Sequence, residues 1–275
     1  MSRKKRAWKR ICNILKDRLP VELLELLPRG WAEYGRIIVI RLPSELKEYE
    51  KEIGNAYLQV SGKDAVYALH TIEGIIRKPE VTLLAGKDIE EVTFKELNAK
   101  IIFPVKKVMW SLGNHGEKER LLRIISSDDI IVDMFACIGQ WSIILAVNKK
   151  PKKIFAIDIN PIAIEYLKKN IKLNKVENII FPILGDCRVV APRNIATRVI
   201  AGTLFDSESF IKTAVDAIYK RGTIHYHFLS DKKNPSTQFI DIFNEYSTVI
   251  DVKIFKVKSY APKVMHYVAD VVIEK

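Results

Sequence analysis

The sequence predicts an α/β protein: a mostly parallel sheet with helices on both faces, preceded by a small mixed α/β region. Three observations carry this. From residue 117 onward, fully apolar strand-length runs alternate with helical periodicity, as strands buried on both faces require. A glycine-containing turn joins the first of these strands to its helix. The 275 residues, 48% hydrophobic and 28% charged with no low-complexity tract, are enough for one large and one smaller globular unit.

In chain order, residues 36–42 (RIIVIRL) form a β-branched run closed by Pro43, and Ser44 is expected to cap a helical stretch through about residue 57. Strands are expected at 65–70 and 81–85, separated by a turn at Glu73-Gly74 and by Pro79, and again at 100–105. A small α/β N-terminal domain with a basic N-terminal helix is therefore assigned to residues 1–106 and a second domain to 107–275. The second opens with a helix at 117–125, then a strand (IIVDMF), the glycine turn and a helix (QWSIILAV). The unit repeats as IFAIDI, a helix with Pro161 in its first turn, and FPILGD. Strands follow near Arg198, Thr223, Val252 and His266, with a helix at 207–220 between the first two. The last two lack an intervening helix, which implies an antiparallel hairpin at the sheet edge.

The net charge of +12 makes a polyanionic partner worth considering. Residues 1–20 carry Arg3, Lys4, Lys5, Arg6, Lys9, Arg10, Lys16 and Arg18 against Asp17 alone, so more than half of the excess sits there. Two readings stand: a solvated basic helix, or an arm that contacts phosphates. No apolar core or small-residue cleavage site follows the basic start, and residues 130–147 are interrupted by Asp133, Gln140 and a glycine turn, so a cytoplasmic protein without a membrane span is expected. Cys12, Cys137 and Cys187 show no ligand spacing; neither a disulfide framework nor a metal is expected.

In an open parallel sheet, ligands bind beyond the carboxyl ends of the strands at the point where strand order reverses. The first strand ends in Asp133-Met-Phe-Ala-Cys-Ile-Gly139, a turn whose backbone can approach a ligand. The second ends in Asp158, placed to accept ribose hydroxyls, and the third in Gly185-Asp186-Cys187, suited to a purine amino group. Asp158 has a competing reading as the cap of the helix begun by Pro161. The dinucleotide fingerprint GxGxxG is absent, which disfavours a nicotinamide cofactor.

The motifs VDMFACIGQWS, AIDINPIAIEYLKKNIKLN and PILGDCR resemble those of the tRNA guanine-37 modification superfamily, which has a Rossmann-like class I methyltransferase fold with a seven-stranded sheet. One branch methylates N1 of guanine 37. The other, the archaeal wybutosine-synthesis aminocarboxypropyltransferases, moves the 3-amino-3-carboxypropyl group of S-adenosylmethionine to C7 of the wyosine precursor. The stretch VMWSLGNHGEKERLLR, with Ser111-Leu-Gly113-Asn114, is similar to the aminocarboxypropyl branch, as are YAPKVMHYVAD, GTIHYHF, LPRGWAEYG and EGIIRKP. Where the methylating branch has Asn-Leu/Pro-Pro after the fourth strand, this chain has Ala201-Gly202-Thr203.

The resemblance implies S-adenosyl-L-methionine as group donor and tRNA, at its anticodon-loop region, as partner, with the N-terminal domain expected to bind tRNA. No protein partner is inferred from it. Ser111 and Lys118 would hold the methionine part, Asp158 the ribose, and Asp186 with Cys187 the adenine, with Phe135, Ala136, Gly139 and Ile159 completing the cofactor site. The family usually has Arg at Lys118, Gly at Cys137, Glu at Asp158 and Asn at Cys187. N1 methylation of guanine 37, and tRNA or cofactor binding without catalysis, are the alternatives. Alkylation of a ring carbon in this way requires loss of its proton, but no base is assigned: His225 and His227 have a structural reading as packed strand residues. Trp110, Trp141 and Tyr260 read first as packing groups, with a stacking surface for an exposed base as the second reading of each.

Overall fold

A computed structural model describes residues 3–231, 235 and 237–275, with the side chains of Arg3 and Lys4 left undescribed. Met1, Ser2 and those two side chains of the basic N-terminal stretch thus lie outside the described residues. The chain divides into two compact units, Met1–Lys95 with Ile102–Met109, and Glu96–Ile101 with Trp110–Lys275.

The first unit contains helices α1 (Arg3–Leu15) and α2 (Val21–Glu25), strands β1 (Ala32–Tyr34) and β2 (Ile37–Ile40), helix α3 (Glu50–Ser61) and strands β3 (Ala65–Glu73) and β4 (Lys78–Gly86). The sheet order is β1-β2-β3-β4, with only β2 and β3 parallel. Pro79 falls within β4 rather than before it, which an edge strand tolerates because one side of its ladder is unpaired. Ser44 does not cap a helix. Its hydroxyl bonds to Glu45, a 3-10 turn spans Ser44–Tyr49, and α3 starts only at Glu50. On α3, Gly54 lies so close to β4 that a Cβ would reach the Leu84 backbone at 2.8 Å, which is why glycine stands inside a helix there. Ile11, Leu15 and Leu19 bury with Ile53, Tyr57, Ile38 and Val66 in the unit's core. The basic N-terminal segment is therefore a helix anchored by its apolar side, with Lys5, Arg6, Lys9, Arg10, Lys16 and Arg18 exposed.

Strands β5 (Glu91–Glu96) and β6 (Ala99–Pro104) form a two-stranded ribbon whose tip, residues 96–101, belongs to the second unit. In that unit Asn148 donates to the Leu97 carbonyl at 2.6 Å and Asn174 to the Lys100 carbonyl at 2.6 Å, which pins the tip.

The second unit runs α4 (His115–Ile124), β7 (Ile130–Asp133), α5 (Ser142–Lys149), β8 (Lys153–Asp158), α6 (Pro161–Asn174), β9 (Ile180–Leu184), α7 (Cys187–Val190), β10 (Ala196–Ala201), α8 (Ile211–Ala217), β11 (Ile218–Ser230), α9 (Phe239–Asn244), β12 (Thr248–Ala261) and β13 (Val264–Glu274). Its seven strands are ordered β12-β13-β11-β10-β7-β8-β9, and only β13 runs antiparallel. The order reverses between β7 and β10, which places the ligand-binding crevice at their carboxyl ends. The expected edge hairpin is present, with β13 inserted beside β11. Helix α8 stops at Ala217 rather than near residue 220, because Ile218 already pairs with Ala196 in the parallel ladder. Among the described residues no helix is long and apolar enough to cross a membrane.

Candidate active site at the carboxyl edge of the large sheet

The turn after β7 is tied to its neighbours by backbone hydrogen bonds. Met134 N–H donates to the Ile200 carbonyl at 3.1 Å, and Ala136 N–H to that of Ile157 at 2.8 Å. Asp133 is fully buried, accepts the Ser142 hydroxyl and, at 3.4 Å, the Phe135 N–H. Burial pushes its carboxyl up to about 7 despite those bonds. Gly139 holds φ at +104°, and a Cβ there would collide with Ile143 of α5, so the turn-to-helix junction requires glycine.

Asp158 carries more of this turn than its position at a strand end suggests. One carboxylate oxygen accepts Cys137 N–H at 2.7 Å and the other accepts Asn160 N–H at 2.9 Å. It does not cap α6; Asn160 does, by accepting Ile162 N–H at 3.0 Å ahead of Pro161. Burial raises the Asp158 pKa, opposed by these backbone bonds. A carboxylate has about four lone-pair sites, so with three backbone N–H groups around it, those of Cys137, Ile159 and Asn160, it keeps capacity for one further donor. Beside it Ile159 is 40% exposed, an apolar surface next to a charged strand end. Gly185 N–H donates to the Asp158 carbonyl at 3.0 Å, which brings the β9 end alongside. There Asp186 caps α7 through Arg188 N–H and pairs with the Arg188 guanidinium at 2.6 Å, and Cys187 is buried.

Phe135, Ala136, Gly139, Asp158, Ile159, Asp186 and Cys187 therefore line three adjacent strand ends. Ser111 joins them through Gln140 of the glycine turn, whose side-chain oxygen accepts Ser111 N–H at 3.2 Å. Lys118 is placed differently from the open cationic grip expected of it. Its ammonium is buried, donates to Glu96 at 2.8 Å and lies 4.3 Å from the Trp110 ring. Burial lowers its pKa to about 8, against the opposing pull of Glu96.

A second lysine, which sequence reasoning passed over, occupies the neighbourhood of Ser111. Lys258 Nζ donates to the Ser111 hydroxyl at 2.9 Å across 147 positions of sequence. It also packs against Gly113, where a Cβ would come within 3.1 Å of Lys258 Nζ, so a larger residue there would make the lysine shift. The basic, acid-free run 252–269 was the available signal. His225 is buried against Asp270 at 2.7 Å, which in turn takes both Arg120 nitrogens. Burial opposes ionisation of Asp270, but these two partners outweigh it and hold the carboxyl at about 2. His227 is buried between the Trp141 ring and His266, 2.8 Å from the latter. Both histidines thus take the packed reading. Trp110 and Trp141 are buried too, whereas Tyr260 is exposed. At Gly202 a Cβ would come within 2.9 Å of Trp141 Nε1, so the β10 loop has no room for a side chain at this position.

The family of the TRM5/TYW2 methyltransferase domain matches residues 92–255, and that of the TYW2 N-terminal domain matches residues 11–89. The chain belongs to the TRM5/TYW2 family. It is 35% identical to a Pyrococcus horikoshii tRNA(Phe) (4-demethylwyosine(37)-C(7)) aminocarboxypropyltransferase over 97% of each chain. It is also 35% identical to the tRNA (guanine(37)-N(1))-methyltransferase Trm5b of Pyrococcus abyssi, over 96% of this chain and 79% of that one. The crystal structure of P. horikoshii TYW2 in complex with MeSAdo superposes with a TM-score of 0.81 at 34% identity, over 98% of this chain and 99% of that one. The strand order of the large sheet is thus that of the TRM5/TYW2 fold, as the motifs implied.

Proposed function

We propose that the protein transfers the 3-amino-3-carboxypropyl group of S-adenosylmethionine to carbon 7 of the wyosine-precursor base at position 37 of tRNA. The observation that carries this reading over methylation is Gly202. Packed against Trp141 without room for a Cβ, it stands where the methylating branch has a polar loop. The match of residues 11–89 to the TYW2 N-terminal domain supports the same branch.

The strand-end residues fit the donor. Asp158 has lone pairs for the ribose hydroxyls, Ile159 offers an apolar face to the adenine, and Asp186 accepts from its amino group while the Cys187 backbone N–H donates to a ring nitrogen. Phe135, Ala136 and Gly139 form the floor. When bound, the donor would supply sulfonium-activated carbons: a bond from base C7 to its Cγ would form as the Cγ–S bond breaks with its electron pair going to sulfur, and the C7 proton would leave to solvent. Which carbon reacts is then a matter of position, and the chain's part is to orient. Ser111 and Lys258 face the methionine end with a hydroxyl and a positive charge, while Lys118 acts from behind through its ion pair with Glu96 and its contact with Trp110.

The exposed basic face of α1 borders an open depression of about 540 Å³ lined by Trp8, Arg10, Asn13 and Lys16 among others, and we assign phosphate contacts to it. The setting is the cytoplasm and the tRNA region is the anticodon loop. Incubation with S-adenosylmethionine and tRNA carrying the precursor, followed by mass spectrometry of the nucleosides, tests the reading. An added aminocarboxypropyl mass supports it. A methyl mass favours the second reading, N1 methylation, which rests on the equal identity to Trm5b. Cofactor binding without product excludes both.

A further inference from the structure

Strand β12 is parallel to β11, so its last residues lie at the same carboxyl edge as the cofactor residues. The β12–β13 hairpin carries register shifts at Lys256/Lys258 and Ser259/Ala261. Bulges of this kind bend a strand, increase its twist and re-aim its side chains. Here they accompany two long-range contacts. Lys258 reaches Ser111, and Tyr260 meets Phe205 of the β10–α8 connection, with ring centroids 6.1 Å apart and planes at 73°. Strands β13 and β11 separate these two elements in the sheet, so the hairpin end arches over them.

Both rings stay open to solvent, Phe205 at 51% and Tyr260 at 43%, although the chain buries Trp110 and Trp141 nearby. The Phe205 turn is built to hold its place. Thr203 Oγ1 donates to the Phe205 carbonyl at 3.1 Å, and Ser209 N–H and hydroxyl both bond to the Asp206 carbonyl while Asp206 holds φ at +49°. The two exposed rings form a preformed aromatic edge. Tyr260 sits in a segment bearing Lys253, Lys256, Lys258 and Lys263 with no acidic residue between Asp251 and Asp270, while Phe205 is flanked by Asp206 and Glu208. Stacking surface and lysine charge on the Tyr260 side have the chemistry of a nucleobase seat.

We propose that Tyr260 and Phe205 form the stacking site for the RNA base that undergoes transfer, displaced from its strand and laid against the Tyr260 ring. The site rests on the transferase reading above in taking RNA as its occupant. Its position, beside the loop that carries Gly202 and one strand from β7, puts such a base next to the donor residues. Tyr260→Leu keeps the bulk and removes the aromatic face, Tyr260→Phe keeps the face, and Phe205→Ala removes the edge partner. With an anticodon stem-loop carrying 2-aminopurine at position 37, wild type and Tyr260→Phe should quench the displaced base's fluorescence by stacking, and Tyr260→Leu should leave it bright. Turnover of precursor tRNA, as kcat/KM, should fall roughly 5- to 150-fold in Tyr260→Leu and Phe205→Ala, while S-adenosylmethionine affinity by calorimetry stays within twofold of wild type. Unchanged quenching and kcat/KM in both variants overturn the site. Failure of wild type to yield aminocarboxypropyl product counts instead against the transferase reading, because the fluorescence of the stem-loop reports stacking without turnover.

Discussion

Asp158 accepts the backbone N–H of Cys137 at 2.7 Å while Cys137 holds φ at +51°, so one carboxylate secures the single left-handed non-glycine residue in the turn after β7. A family glycine would take that conformation without the steric cost a Cβ brings. Cys137→Gly should therefore be neutral or stabilising by up to about 1 kcal/mol, and Cys137→Val should destabilise by about 2 kcal/mol because β-branching is least compatible with positive φ. Urea denaturation of the two variants measures both.

Two variants at Asp158 test its structural bonds and its proposed contact with the donor. Asp158→Ala strips Cys137 and Asn160 N–H of their partner and should cost about 1–3 kcal/mol of stability; under the proposal that Asp158 also accepts the ribose, it should weaken S-adenosylmethionine at least tenfold. Asp158→Asn keeps one oxygen acceptor, and should retain more stability than the alanine variant. Equal affinity of Asp158→Ala and wild type in calorimetry would remove the ribose assignment.

Lys118 and Glu96 form a buried pair, so loss of one partner strands the other. Lys118→Met should cost about 3–5 kcal/mol, and the double variant Lys118→Met/Glu96→Gln should recover much of it. Lys258→Met, which removes the charge facing Ser111, should leave stability nearly unchanged and raise the KM for S-adenosylmethionine. A larger KM effect from Lys118→Gln than from Lys258→Met would return the methionine-binding role to Lys118.

His266 is held far below its ordinary value, at about 3, chiefly by burial and then by the Lys258 charge, and His227 is depressed in the same direction by burial and by His266. A base whose folded pKa is lowered contributes stability above its unfolded pKa and loses it as pH falls. Melting temperature should accordingly drop between about pH 6.5 and pH 3, and His266→Gln should flatten that slope. Asp133, raised to about 7 by burial, has the opposite sign: its contribution is full below its unfolded pKa and is lost as pH rises toward 7. Asp133→Asn should remove that decline.

If α1 contacts phosphates, neutralising Lys9, Arg10 and Lys16 to Gln should weaken tRNA binding and reduce the slope of log affinity against log salt by somewhat less than one per lost contact. A slope equal to that of wild type would leave these residues as a solvated face.

Periodicity and strand ends carried the large sheet, its edge hairpin and the row of strand-end residues from Phe135 to Cys187, because consecutive β-loop-α units put strand termini side by side whatever the details of packing. The sequence by itself thus determined the fold class and which turns face the ligand edge. Hydrogen-bond choices were another matter. That Asn160 rather than Asp158 caps α6, that Lys118 turns to Glu96, and that Lys258 and Tyr260 arch over the sheet to Ser111 and Phe205 depend on groups up to 147 positions apart. Only the tertiary structure decides such pairings, since a side chain's partner is set by burial and by bends such as the β12 bulges, which leave no periodic trace in the chain.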